Sequence, residues 1–102
     1  MKKYGLHGKL QAKPGQGDAL AAILLEASKL MTVLDACHLY LVSQAAEDSD
    51  AIWVTEVWDS KEAHDASLQQ DKVRALIGKA MPLLDGQSEG GQTLKVLGGL
   101  ST

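Results

Sequence analysis

The segment AIWVTEVW, residues 51–58, constrains the fold more than any other part of the chain. It is rich in β-branched and aromatic residues, which favour an extended strand, and its side chains alternate between two sets. One set is Ile52, Val54, Glu56 and Trp58, and the other is Trp53, Thr55 and Val57. Both sets are largely apolar, so both faces of the sheet that contains this strand are expected to be covered. The first set is assigned to the face that packs on helices.

Three further segments alternate with a period of two and are predicted to be strands. They are residues 4–13, 37–43 and 92–97. Within the second of these strands, Cys37, Leu39 and Leu41 are predicted on the core face, and His38, Tyr40 and Val42 on the opposite face. The acidic run at 47–50 is predicted to be the hairpin connection into the strand at 51–58.

Helical spacing of apolar residues predicts the remaining elements. The first helix is expected over residues 19–31, with Asp18 as its N-cap. A second helical pattern runs from residue 63 to residue 81 and breaks near residue 70, which indicates two short helices. The dipeptide Asp59-Ser60 resembles the start of the first of these two helices. The predicted order of elements is therefore β-α-β-β-α-α-β.

This order is typical of the ferredoxin-like α+β fold, in which helices cover one face of an antiparallel four-stranded sheet. The other face is left bare, and it is predicted to carry Trp53, Val57, Tyr40 and Val42. A bare apolar patch of this size is unusual on a soluble monomer, so a homodimer that packs sheet on sheet is expected. The 102 residues are the length of one domain, and 1–102 is predicted to be a single domain.

Charge and composition argue against several classes of partner. The net charge is −3 and the ten Lys and Arg are scattered, so neither a nucleic acid nor an anionic membrane is an expected partner. No segment reaches the ~18 apolar residues of a membrane span. The single Cys37 cannot form an internal disulfide, and a cytoplasmic location is predicted. The three histidines, at positions 7, 38 and 64, lie on different elements, so no metal site is expected.

Three short motifs carry a resemblance to a known family through their order and spacing. They are Lys13-Pro14-Gly15 before the first helix, Cys37-His38-Leu39-Tyr40 in the second strand, and the run EVWDSKEAH at 56–64. In the last motif, a Glu-x-Trp-x-Ser pattern ends a strand and opens a helix. Together they resemble the antibiotic biosynthesis monooxygenase family, and the similarity spans almost the whole chain.

The resemblance implies a ferredoxin-like fold of the dimeric α/β-barrel type, with a pocket between sheet and helices in each subunit. Members studied as enzymes oxidise phenolic or quinol substrates with dioxygen and need neither metal nor flavin. A related branch degrades haem with an iron-ligating His at about the position of Ser67 in this chain. Serine is a poor iron ligand, so haem degradation is disfavoured.

The leading hypothesis is a cofactor-independent monooxygenase that oxidises a quinol-like or polyphenolic aromatic. His64 is the predicted base, Trp58 the pocket wall and hydrogen-bond donor, and Glu56 the carboxylate that tunes or orients the base. The predicted substrate-binding residues are Leu39, Leu41, Val54 and Ser67. Each catalytic candidate also has a structural interpretation: core packing for Trp58, an ordinary ion pair for Glu56, and a solvated helix position for His64.

Two other functions remain open at the level of sequence. One is a non-catalytic dimeric module that binds a small apolar ligand. This alternative is suggested because the sequence alone shows no pair of facing catalytic groups. An isomerase of a small carbonyl compound would use the same acid and base without dioxygen.

Overall fold

The computed structural model describes residues 3–86 and 91–99. In these residues the elements are β1 Lys3–Gln11, α1 Gly17–Met31, β2 Cys37–Ala45, β3 Asp48–Trp58, α2 Lys61–Ser67, α3 Asp71–Ala80, a 3-10 turn Met81–Leu83, and β4 Gln92–Val96. The predicted order of strands and α-helices is confirmed. None of the helices in the described ranges is long and apolar enough to cross a membrane.

The four described strands form one antiparallel sheet in the order β2-β3-β1-β4. The pair β1 and β3 is continuous, from Tyr4 opposite Trp58 to Gln11 opposite Ala51. The two strands that are adjacent to β1 in space are thus far from it in sequence, as the ferredoxin-like arrangement requires. The predicted fold class is confirmed.

Alternation along β3 separates a helix-covered face from an open face, as predicted from residues 51–58. Ile52 packs with Leu20 of α1 in one core cluster, and Trp58 packs with Met31 of α1 and Val73 of α3 in a second cluster. Ile52 and Trp58 are fully buried. Two separate clusters under the same helices leave room for a cavity between them.

A β-bulge near the start of β2 overturns the predicted faces of that strand. The pairing with β3 skips one residue between Cys37, which pairs with Trp58, and Leu39, which pairs with Val57. One extra residue on one strand reverses the alternation beyond it. Leu39 and Leu41 consequently lie on the open face, and Leu41 is 51% exposed.

The same bulge turns Tyr40 and Val42 towards the helices, so their predicted place on the bare face is wrong. Tyr40 pairs with Glu56, and Val42 pairs with Val54, on the helix-covered face. Val42 packs against the first core cluster and Tyr40 against the second. The placement of Cys37 beside the core is retained, because it precedes the shift.

The start of α1 is held differently from the prediction. Asp18 lies in the first turn, and the N-cap is Gln16, which makes no side-chain capping bond. Asp50 instead accepts hydrogen bonds from the backbone N–H groups of Gly15 and Gly17, at 3.1 and 2.9 Å. A Cβ at Gly17 would overlap the Ser49 carbonyl oxygen, so only glycine allows this close approach. The hairpin connection is also shorter than predicted, because β3 begins at Asp48.

The start of α2 agrees with the sequence. Ser60 is the N-cap, and its hydroxyl oxygen accepts a hydrogen bond from the backbone N–H of Ala63 at 3.1 Å. This bond orients the short helix directly after Trp58 ends β3. It thereby brings His64 back over the helix-covered face of the sheet.

Candidate functional site

A cavity of about 220 Å³ lies between the sheet and the helices. Its walls are mostly aliphatic side chains of α1 and α3, and the polar groups that reach it among the described residues are Tyr40, Glu56, His64 and Ser67. An apolar cavity with a few convergent polar side chains is the usual form of a small-molecule site. No Lys or Arg lines it in the described part of the chain.

A second cavity of about 210 Å³ adjoins the first. It runs along β1 past Leu6 and Gly8. Tyr40 and Glu56 line both cavities and therefore stand at their junction. A ligand in either cavity would lie beside this pair.

Glu56 is the buried acid of the site, with 9% of its surface exposed. The indole Nε1 of Trp58 donates a hydrogen bond to its Oε1 at 3.0 Å. The same oxygen lies 3.8 Å from Nε2 of His64. Burial raises the pKa of Glu56, while the Trp58 hydrogen bond and the nearby His64 charge act in the opposite direction. Burial is the largest of the three effects, so the carboxyl retains a proton more readily than an exposed glutamate.

His64 is held by contacts on several sides. Its side chain is 12% exposed, and its Nδ1 lies 3.0 Å from Oδ1 of Asp65. The ring meets Trp58 edge to face, with centroids 5.7 Å apart, and also contacts Tyr4. When Nδ1 donates to Asp65, Nε2 is the nitrogen that can accept a proton, and it faces Glu56 and the cavity. The Glu56 carboxyl and the His64 imidazole therefore lie side by side at the cavity wall, with Oε1 and Nε2 3.8 Å apart.

Ser67 lies one turn after His64 and is 3% exposed. Its hydroxyl donates to the His64 backbone carbonyl at 2.6 Å, so its proton is used within the helix. It lines the first cavity, where its oxygen can still accept a hydrogen bond. The sequence-predicted trio of Glu56, His64 and Ser67 is thus brought to one cavity.

The other predicted site residues are placed elsewhere. Trp58 is 1% exposed and lines neither cavity, so its predicted role as a pocket wall is wrong. It instead lies in the core and donates a hydrogen bond to Glu56, which does line both cavities. Val54 lines only the second cavity. Leu39 and Leu41 lie on the opposite face of the sheet because of the bulge in β2, and they line neither of these two cavities.

Tyr40 is the cavity residue that sequence reasoning missed. Burial raises the pKa of its phenol, and the nearby Glu56 and Cys37 raise it further. The phenol therefore remains neutral and able to donate a hydrogen bond at any ordinary pH. Alternation in the sequence placed this residue on the wrong face, and no residue type near Cys37 marks the bulge.

A metal site is not among the features of the described residues, since no three His, Cys, Asp or Glu side chains come close enough together to hold an ion. His38 lies 2.5 Å from Asp59 at the surface, and neither residue lines the two cavities. The polar side chains of the cavity can transfer protons and form hydrogen bonds.

The family model described as antibiotic biosynthesis monooxygenase matches residues 4–79, which include every polar residue of the cavity. The chain belongs to this family. The resemblance carried by the three sequence motifs is thereby confirmed. No curated protein matches the chain.

Several solved structures have the same fold as this chain. A protein of the same family name from Chloroflexus aurantiacus J-10-fl is 43% identical, with a TM-score of 0.86 over 96% of each chain. One from Caulobacter crescentus CB15 is 17% identical, with a TM-score of 0.84 over 95% of this chain and 92% of that one. One from Nitrosomonas europaea is 10% identical, with a TM-score of 0.86 over 93% and 90%. The last two are similar in fold alone.

Proposed function

We propose that the protein is a monooxygenase that oxidises a small quinol-like or polyphenolic aromatic with dioxygen and needs no added cofactor. The observation that carries the proposal is the placement of the Glu56 carboxyl and the His64 imidazole 3.8 Å apart at the wall of an apolar cavity. Membership of the monooxygenase family supports the same reaction class. An electron-rich diol can itself reduce dioxygen once it is ionised, so the protein has to supply a base, a dry site and hydrogen bonds.

The reaction begins when Nε2 of His64 accepts a proton from a phenolic hydroxyl. Glu56, 3.8 Å away, stabilises the resulting imidazolium when its carboxyl is ionised. The phenolate passes one electron to dioxygen, and the substrate radical and superoxide combine to form a carbon–oxygen bond. Cleavage of the O–O bond then leaves one oxygen atom on the ring and releases the other as water. The quinol supplies all four electrons and becomes a hydroxyquinone, so no outside reductant is consumed.

The size and lining of the cavity limit the substrate. The cavity of about 220 Å³ is smaller than the ~300–1,000 Å³ of sites for drug-sized ligands, which favours one or two aromatic rings. A buried glutamate and no cationic side chain among the described lining residues disfavour a substrate with its own carboxylate. A neutral naphthoquinol satisfies both conditions.

Dioxygen uptake tests the proposal directly. Metal-free protein is mixed with a chemically reduced naphthoquinol, and the uptake is corrected for autoxidation. Removal of a general base typically costs 10²–10⁴-fold, so His64→Gln is expected to lose turnover by about this factor. His38→Gln is the matched control, because His38 contacts Asp59 outside the cavity. Equal turnover in parent and His64→Gln would contradict the assigned base.

Calorimetric titration of the same quinol and its quinone separates the alternative functions. Stoichiometric binding without uptake across several quinols would favour the ligand-binding module. Oxygen-independent conversion of a small carbonyl compound that is lost in His64→Gln would favour an isomerase.

We also propose that two copies of the chain pack through the open face of the sheet. Apolar side chains on this face include Leu39, Leu41, Trp53, Val57, Leu94 and Val96. A sheet face with this lining is typical of sheet-on-sheet packing. Sedimentation equilibrium is expected to give a dimer for the parent and a monomer for Leu41→Glu. Leu25→Glu on α1, at a similarly exposed leucine, should leave the mass unchanged.

A further inference from the structure

Tyr40 and Glu56 pair directly across β2 and β3 at the junction of the two cavities. Tyr40 is largely buried, yet its hydroxyl makes no hydrogen bond to any residue within 3–86 or 91–99. Every fully buried polar side-chain atom in those ranges does have a partner. The Tyr40 hydroxyl therefore keeps some accessible surface, and this residue meets empty space along both cavities.

The proposed oxidation creates an oxyanion that needs a donor. When the phenolic hydroxyl loses its proton, its oxygen becomes negatively charged inside an apolar cavity, where an uncompensated charge is strongly unfavourable. Among the polar groups that line the first cavity, Glu56 is an acceptor when ionised, and the Ser67 hydrogen already bonds the His64 carbonyl. Lys9 also lines the second cavity, but it pairs with Trp53 in the alternation of the open face. His64 takes the proton itself. A separate neutral donor is required, and a preorganised hydroxyl suits this role.

We infer that Tyr40 contacts the substrate and donates its phenolic hydrogen to the substrate oxygen that becomes negatively charged. The identity of that oxygen rests on the proposed function, whereas the contact itself rests on the position of Tyr40. The substrate class is thereby narrowed to aromatics with an ionisable hydroxyl that can reach the junction of the cavities. The titratable groups that face Tyr40 are Glu56 and Cys37, with His64 beyond Glu56.

Binding of two probes of similar shape tests the contact without turnover. The probes are 4-nitrophenolate and nitrobenzene, titrated calorimetrically at one pH above the ionisation of the phenol, so that the protein groups are in the same state for both. Tyr40→Phe is expected to weaken 4-nitrophenolate about tenfold or more, as for a lost hydrogen bond to a charged group, and to change nitrobenzene by less than about twofold. Tyr4→Phe is the matched control, since Tyr4 packs on the His64 ring but lines neither cavity.

Several outcomes would overturn the inference. They are a parent protein that does not bind 4-nitrophenolate, a Tyr40→Phe variant that binds it as the parent does, and an equal loss of both probes. A markedly lower urea midpoint for Tyr40→Phe would also overturn it, because the hydroxyl would then have a partner within the protein. Phenolate binding that depends on Tyr40, together with no dioxygen uptake, would remove the proposed oxidation and leave the contact standing.

Discussion

The two tryptophans of β3 lie five residues apart on opposite faces of the sheet, in very different surroundings. Trp58 is buried beneath the helices and donates its indole hydrogen to Glu56. Trp53 is only partly buried on the open face, where it stacks on the His7 ring with centroids 5.0 Å apart. The helix-covered face can hold a buried carboxyl because it offers partners for it, whereas the open face presents flat apolar and aromatic surface.

The different surroundings of the two tryptophans suggest that substitutions on the two faces of the sheet have different effects. The helix-covered face combines two packed clusters with a cavity and the Glu56–His64 pair, so changes there should affect stability and chemistry together. The open face lacks such a cavity-bound acid among the described residues, and changes there should act mainly on association. Four substitutions, in order of decreasing effect, test this division.

Ile52→Ala is expected to cost the most stability. Ile52 is fully buried in the first core cluster, and a buried Ile-to-Ala change typically costs about 2–5 kcal/mol. Leu41→Ala on the open face should cost less than ~1 kcal/mol at low protein concentration, because half of the side chain is exposed. Urea unfolding at two protein concentrations measures both, and only the Leu41 effect should vary with concentration. Similar losses at both positions would contradict the division.

Trp58→Phe is expected to follow. The substitution removes the donor to Oε1 of Glu56 and leaves a buried acceptor unsatisfied, at a cost of about 1–3 kcal/mol. Trp53→Phe is the matched change on the open face, where the indole makes no hydrogen bond to another described residue. Its unfolding free energy should stay closer to that of the parent. Equal urea midpoints for Trp58→Phe and Trp53→Phe would contradict the proposed difference between the two faces of the sheet.

Ser60→Ala is expected to have a smaller effect. Loss of the N-cap bond to Ala63 typically costs about 0.5–2 kcal/mol. Because the cap sets the start of α2, it also affects the position of His64, so turnover should fall together with the unfolding free energy. Ser43→Ala, at an exposed position of β2, serves as the control. An unchanged unfolding curve for Ser60→Ala would show that the cap is dispensable.

Glu56→Gln is expected to have the smallest effect, which is a change in how the unfolding free energy varies with pH. The raised pKa of Glu56 determines the direction of that change. Burial raises the pKa of this carboxyl above its ordinary value of 4.5, so the folded chain holds the proton more tightly than the unfolded chain does. The corresponding stability is full below about pH 4.5 and is lost as pH rises through the raised pKa. As pH rises through this pKa, the unfolding free energy of Glu56→Gln should therefore fall less than that of the parent. The exposed Glu62→Gln should run parallel to the parent, and a parallel curve for Glu56→Gln would contradict the assignment.

Much of the fold could be predicted from local patterns. The alternation at 51–58 correctly separated Ile52 and Trp58 from Trp53 and Val57, because a regular strand transmits its period of two without interruption. The helix start at Ser60 could also be predicted, because the capping hydrogen bond joins residues within one helical turn. Glu56, His64 and Ser67 reach one cavity for the same reason: a regular strand and a regular helix meet at a short connection.

The errors share a cause, since each depends on residues far apart in sequence. Asp18 resembled a cap, but Asp50 on β3 takes the N–H groups of Gly15 and Gly17. The bulge in β2 places Tyr40 on the helix-covered face and Leu39 on the open face, the reverse of the prediction, and it depends on how β2 pairs with β3.

The order of elements, the two faces of β3, the start of α2 and the family could all be predicted from the amino-acid sequence, because they depend on periodicity and on short motifs. Three placements required the folded chain: Trp58 supports Glu56 without lining a cavity, Tyr40 lies at the junction of the cavities, and Leu41 faces away from them. Those placements depend on strand register and on helix packing, where a shift of one residue reverses a face. Local propensity does not encode such a shift.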